Sequence, residues 1–250
     1  IFAQVAAIYA LVVLGVLVVS ELEPGFNLAF ILVSVGAWAV IGWCQFALFN
    51  GLQEALHRIF GRPHRDVLYY LLAAYPLGFD ESYRAVHLDH HKYFGDPLRD
   101  PDYQNYANFP RSRGAFALRL FLNLCGWYAL LQFLGIHQGG ATGAPGDEKT
   151  TATARRPLLR LALTQLLILA VFALSVGWFY YIWLGLIPLA SFAKFFSSTR
   201  AFCEHGSPDN EPVIRTITGS YPGEKILGVF CFHYHAEHHR YVGIPYNQLR

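Results

Sequence analysis

His87, His90 and His91 stand together in HLDHH, and His235, His238 and His239 repeat the same spacing in HAEHH. On a helix, positions i, i+3 and i+4 share one face. Three imidazoles on a single turn repel one another if protonated and lose solvation if buried, unless something binds them. Imidazole suits zinc, copper, iron and nickel, so two such turns read as a metal-ligand constellation. A lone histidine such as His137 or His64 is more often a surface or core residue.

Two further stretches carry isolated histidines. TRAFCEHG holds His205, with Arg200 and Glu204 at i, i+4, an orientation suited to a helical ion pair. LQEALHRIF holds His57. With His87, His90, His91, His235, His238 and His239 these make eight imidazoles, out of eleven in the chain. A structural zinc takes four ligands and a catalytic zinc three, so eight are too many for one metal and suit two. Carboxylate di-iron bundles use paired Glu-x-x-His motifs; only Glu54–His57 has that spacing here. A histidine-rich di-metal site is left, and dioxygen chemistry favours iron over zinc.

Such residues must be held somewhere, and the rest of the chain is apolar. Of 250 residues 54% are hydrophobic and only 14% charged, against about 25% charged in an ordinary soluble domain. A spanning helix needs about 20 mostly apolar residues. Residues 1–20, 26–49, 158–176 and 177–196 meet that length. Val67–Phe79 is too short and reads as a re-entrant or interfacial helix. Ala115–His137 is long enough to cross but carries Arg119 and Asn123, so it is expected to lie flat. The connections at Glu21–Gly25 and Gly177–Tyr181 contain no Lys or Arg, and Trp178, Tyr180, Tyr181 and Trp183 suit an aromatic belt. The expected fold is therefore an all-α integral membrane protein, a single domain over 1–250. Four transmembrane helices form two hairpins, and a cytoplasmic helical cap built from 50–157 and 197–250 carries the histidine boxes. Gly139–Thr153 is expected to be a flexible loop in that cap.

Composition and residue placement weigh against several classes. A net charge of +2 and no basic stripe argue against nucleic acid. Transporters tend to place ionisable groups near the midplane of their spans, and here the spans carry almost none. A non-redox metal-binding membrane protein stays open as an alternative, although a zinc hydrolase would need fewer histidines and an open site with a general base. Cys44, Cys125, Cys203 and Cys231 form no CxxC and read as free thiols. Methionine is absent even at position 1, which reads as a fragment or a processed or redesigned chain, and the apolar start at Ile1 shows no signal-peptide pattern.

HLDHH, CEHG and YHAEHHRYVGIPYNQL resemble the second, intermediate and third histidine motifs of the integral-membrane fatty acid desaturase superfamily, which also holds acyl, alkane and carotenoid hydroxylases and ketolases. The resemblance covers nearly the whole chain, from the second span to Arg250. It implies two irons ligated by His57, His87, His90, His91, His205, His235, His238 and His239. It also implies a cytoplasmic active site, dioxygen as co-substrate, a lipid or acyl substrate, and electrons from a ferredoxin-like or b-type cytochrome donor. The implied reaction is desaturation of an acyl chain, with hydroxylation or ketolation as the alternative on the same scaffold. Two positions depart from the pattern. Gln53 stands where the first motif has its first histidine, leaving a glutamine carbonyl, a water or His64 to fill the place, or a damaged site. His233 stands where asparagine is common, as an orienting group or a ninth imidazole.

Asp89, Glu204 and Glu237 are expected either as metal ligands or as carboxylates that fix the tautomer of a ligand; Asp96 and Asp100 in GDPLRDPD suit the latter role or, equally, turn capping. Trp43, Phe46 and Phe49 suit the lining of a substrate tunnel, or packing. Arg58, Arg62, Arg65 and Arg84 suit an acidic headgroup, carrier or donor, or simple positive-inside placement.

Overall fold

The computed structural model describes residues 1–22, 27–107, 109–134, 151–209, 211–217, 222–231 and 233–249, and all regular structure among them is helical. Most of the expected loop Gly139–Thr153, together with His137, lies outside the described residues; Thr151 already begins a helix.

Four helices are long and apolar enough to cross a membrane: Phe2–Ser20, Leu28–Leu56, Leu158–Ser175 and Trp178–His205. The first, α1 (Phe2–Ser20), is apolar all round, as a lipid-facing span must be. Leu11, Val13, Leu14 and Leu17 point outward, while Val5 and Ile8 pack against α2 (Leu28–Leu56). Asn27 caps α2, its side chain accepting from the Phe30 N–H. At about 1.5 Å per residue the 29 residues of α2 run roughly 43 Å, against about 30 Å of hydrocarbon. The surplus is the polar C-terminal end. Expectation put the end of this span at Phe49, but the helix continues through Asn50, Gln53 and Glu54, all buried in protein rather than lipid.

After α2 the chain turns sharply. Ile59 N–H bonds Glu54 O and Arg58 N–H bonds Ala55 O, with Arg58 at φ 57. This is the Schellman pattern, with arginine in the left-handed place usually given to glycine. It holds His57 at the helix C-cap.

The short segment that follows is α3 (Pro63–Tyr69), extended by a π turn at Tyr70–Ala74 and a 3-10 turn at Tyr75–Leu77. It packs into the α1–α2 core through Tyr69, Ala73, Ala74 and Tyr75. Backbone groups freed by such turns need protein partners in an apolar setting. Tyr9 of α1 donates to Leu72 O, and Gln165 Nε2 donates to Tyr75 O at 2.7 Å. Tyr69 Oη donates to Leu48 O at 2.7 Å and lies against Gly51, where any side chain would meet the ring.

Helices α4 (Tyr83–Tyr93) and α5 (Tyr103–Tyr106) come next. The stretch expected to lie flat divides into α6 (Arg113–Leu124) and α7 (Trp127–Phe133), broken at Gly126 with φ +73. Neither piece reaches spanning length, and α6 packs on the end of the fourth span. Two candidate spans therefore separate HLDHH from HAEHH among the described residues.

The third span lies in α8 (Thr151–Ser175). The fourth is continuous from α9 (Trp178–Tyr180) through π turns at Tyr181–Leu186 and Leu189–Ala193 into α10 (Lys194–His205). Its distortion is matched by side chains of α2: Trp38 Nε1 donates to Trp183 O at 2.6 Å and Gln45 Nε2 to Gly185 O at 2.9 Å. The expected end at Phe196 is corrected in the same sense as for α2. The helix runs on to His205, so His205 belongs to the spanning helix itself. Trp43, Phe46 and Phe49 make packing contacts: Trp43 Nε1 donates to Ile226 O, Phe46 stacks on Phe196, and Phe49 meets Phe79 and Tyr83. Two short helices complete the chain, α11 (Pro222–Leu227) and α12 (His235–Arg240).

Candidate metal centre

Four elements converge on one buried point. The overshooting ends of α2 and α10 bring His57 and His205, α4 brings His87, His90 and His91, and α12 brings His235, His238 and His239. The ring nitrogens fall into two groups. In the first, His57, His87, His91 and His238 have nitrogens all within 4.8 Å of one another. In the second, His90, His205 and His239 do the same. His235 joins the second group, its Nε2 lying 2.9 Å from His205 Nε2 and 3.0 Å from His239 Nε2.

Helix geometry explains the division. Residues four apart are rotated by about 40° and point nearly together, while the residue three along lies about 60° to the other side. On α4 the i, i+4 pair His87 and His91 faces the first group and His90 the second. On α12 the assignment is crossed: His235 and His239 face the second group and His238 the first. Each group thus holds four imidazoles. The groups touch where the His91 and His239 rings stack, 4.1 Å between centroids.

Burial sets the protonation of these rings. It pushes His57 down to about 4, helped by the Arg84 charge, and His91 down to about 3, helped by His57. His87, His235 and His238 are driven well below their ordinary value by burial first and by neighbouring imidazoles second. All are therefore neutral near pH 7, with ring lone pairs available. His90 is the exception. Burial pushes it down, but the bond from Nδ1 to Asp100 Oδ1, 2.9 Å long, and the charges of Asp102, Asp100 and Glu204 together outweigh this and raise it. Asp100 also accepts from Tyr106 Oη, Gly95 N–H and Asp102 N–H. With its proton fixed on Nδ1, His90 presents Nε2 to the second group. His205 is oriented alike, Nδ1 donating to Val213 O at 3.2 Å.

These residues fit metal ions. His57 Nε2 lies 2.9 Å from His87 Nε2 and 3.3 Å from His91 Nε2. A neutral imidazole carries one N–H, so three nitrogens meeting at a point cannot all be satisfied by hydrogen bonds among themselves. Ligands bound at about 2.0–2.1 Å and roughly 90–110° apart stand about 2.9–3.4 Å from one another, which is the spacing seen.

The other sequence candidates are placed as follows. Gln53 is buried one turn before His57, and its Oε1 has no hydrogen-bond partner among the described residues. Glu54 accepts the Tyr246 N–H at 2.8 Å, and Tyr246 in turn stacks on His238 at 4.5 Å. Glu204 Oε1 takes Arg200 Nε at 2.7 Å, and Arg200 Nη1 donates to Asn50 Oδ1. His64 is exposed on α3 and cannot fill the place beside His57; Asp89 is also exposed. His233 faces Glu224 at 3.5 Å, and Glu237 accepts from Thr216 Oγ1, so neither stands in the groups above. Asp96 caps its turn through Leu98 N–H and Arg99 N–H, and Asp100 alone of that pair supports a histidine. Arg58, Arg62 and Arg65 are exposed and Arg84 half-buried. Tyr106, Asn50, Tyr246 and the Val213 carbonyl were not singled out from the sequence; Asn50 and Tyr246 act across 150 and 192 residues, and Tyr106 and Val213 reach Asp100 and His205 from six and eight residues away without a recognisable motif.

A search of curated proteins finds no match to this chain. The family profile described as fatty acid desaturase matches residues 29–250, which takes in all four converging elements. The buried, two-group histidine cluster and that match over most of the chain agree, and the chain belongs to the fatty acid desaturase family.

Proposed function

We propose that this protein is a membrane di-iron oxidoreductase that uses dioxygen to desaturate a fatty acyl or related lipid chain. The observation that carries the reading is the meeting of two four-imidazole groups at one buried point between helices that cross the bilayer. His57, His87, His91 and His238 would hold one iron, and His90, His205, His235 and His239 the other. When bound, a pair of irons would pass electrons to dioxygen and so supply the oxidising power needed to take hydrogen from an unactivated methylene.

The chain's own residues do the rest. Imidazoles held neutral by burial, as His57, His87, His91, His235 and His238 are, bind divalent cations without first losing protons near neutral pH. Asp100 and Val213 fix which nitrogen of His90 and His205 faces inward. Phe94 and Tyr106 pack against the His205 ring and Tyr246 stacks on His238, which restricts the motion of both rings. The Lys- and Arg-free connection at Gly177–Tyr181 supports two hairpins with the histidines on the cytoplasmic side. Electrons would come from a ferredoxin or b-type cytochrome system.

Metal analysis and iron spectroscopy of the purified protein test the centre. About two irons per chain is the expected result, one for each histidine group; a single zinc, or no metal, would refute it. Mass spectrometry of lipids from cells expressing the protein tests the reaction: a loss of two hydrogens marks desaturation, and a gain of oxygen marks the hydroxylase alternative.

A further inference from the structure

Among the described residues, Glu204 is the one carboxylate whose oxygen joins a histidine group: Glu204, His205 and His235 have ligand atoms all within 4.8 Å, and all three residues are buried. Adjacent residues on a helix diverge by about 100°, so Glu204 and His205 would ordinarily face apart. Here the carboxylate comes round toward the same point as the His205 ring. Its Oε2 stands 3.7 Å from His235 Nε2. That is the nitrogen which also faces His205 and His239.

The contrast with Asp100 is informative. Asp100 supports His90 from behind, through Nδ1, the nitrogen turned away from the group. A carboxylate orienting His235 in the same way would bond its Nδ1, yet that atom has no hydrogen-bond partner among the described residues. Glu204 is on the inward side. Arg200 Nε holds its Oε1 at 2.7 Å and is itself tied to Asn50 of α2, which leaves Oε2 aimed at the group. Among the described residues no carboxylate oxygen joins the first group in this way.

We propose that Glu204 is a metal ligand, so that the two centres differ. One has four imidazoles, and the other has four imidazoles and a carboxylate oxygen, with Arg200 and Asn50 as positioning residues for Glu204. The inference rests on the reading above that both groups hold metal. A carboxylate at one centre only would lower its net charge and distinguish the two irons electronically.

The test uses full-length protein in detergent, loaded anaerobically with ferrous iron-57 and read by metal analysis and Mössbauer spectroscopy. Wild type should show two quadrupole doublets of equal area. Glu204→Gln should lose the second iron, with affinity down at least ~100-fold, and keep the first, whose retention doubles as a folding control. Glu204→Gln with both irons and an unchanged spectrum overturns the proposal while leaving the two-centre reading intact. Fewer than two irons in wild type overturns both. If Glu204→Gln fails to fold, the wild-type spectrum decides: two doublets support the proposal, and one doublet of full area, meaning equivalent all-imidazole sites, overturns it.

Discussion

Asp100→Asn changes one atom of a buried side chain and should disable one of the two histidine groups. The carboxylate accepts from His90 Nδ1 at 2.9 Å, Gly95 N–H at 3.1 Å and Asp102 N–H at 2.9 Å, and also from Tyr106 Oη. Its charge keeps the His90 proton on Nδ1 and the Nε2 lone pair facing inward. An amide presents an N–H₂ on one side. With Asp102 N–H sharing Oδ1 and Gly95 N–H on Oδ2, either orientation leaves donor facing donor. Turning the N–H₂ toward His90 favours the opposite tautomer, with a proton on the nitrogen that faces the group. Loss of an orienting partner of this kind costs 10–100-fold in metal affinity, or about 1.4–2.8 kcal/mol. The lost charge-assisted bonds should cost about 1.5–3 kcal/mol of fold stability besides. The assay is competition with a chelator of known affinity, following release of each iron by its spectrum. The first group does not touch Asp100 and should hold its iron with wild-type affinity. Equal affinity for both irons in Asp100→Asn and wild type would refute the tautomer argument, since the imidazole would then be oriented by something else.

Acid should destabilise the metal-free protein. His57 and His91 titrate near 4 and 3 when folded against 6.5 when unfolded, so the unfolded chain binds more protons between those values; stability is full above about 6.5 and is lost as pH falls toward 4, which denaturant midpoints across that range would report. His90, shifted the other way, opposes this with a single group against several. Gln53→Ala should leave the iron content unchanged, because the first group reaches four imidazoles without position 53; loss of an iron would make the glutamine carbonyl a ligand. Arg58→Gly should raise resistance to unfolding by about 1 kcal/mol, since glycine takes φ 57 without the Cβ clash; an unchanged or lower stability would mean that the exposed arginine makes a compensating contact.

Much of this arrangement was legible in the residues. Apolar runs gave four spans, and a repeated i, i+3, i+4 spacing gave two histidine faces. Span ends were misjudged for a physical reason. Asn50, Gln53, Glu54, Arg200 and Glu204 read as residues that must leave the bilayer, and they do, but the helices carry on with them. Arg200 bonds Glu204 and Asn50 Oδ1, and Glu54 accepts from Tyr246, so these groups have protein partners where the helices carry on. Asp96 and Asp100 looked alike, each followed by proline. Only the fold decides that one caps a turn and the other turns inward to His90 and Tyr106.

The spacing itself also held more than convergence. A single HxxHH helix serving a single metal would need only the i, i+4 pair on that metal, leaving the third imidazole idle. Here the third ring is what ties the groups together: His90 sends α4 into the second group, and His238 sends α12 into the first. Each short helix is therefore shared, and the distance between the groups is set by the rotation between neighbouring positions on one turn rather than by loops. Displacing α12 would pull nitrogens out of both groups at once, whereas the ends of α2 and α10 each supply one histidine to one group. A bimetallic oxidation needs two ions at a fixed short separation while the surrounding spans move with the lipid. Building both sites from the same two turns of helix meets that need with eleven-residue and six-residue elements.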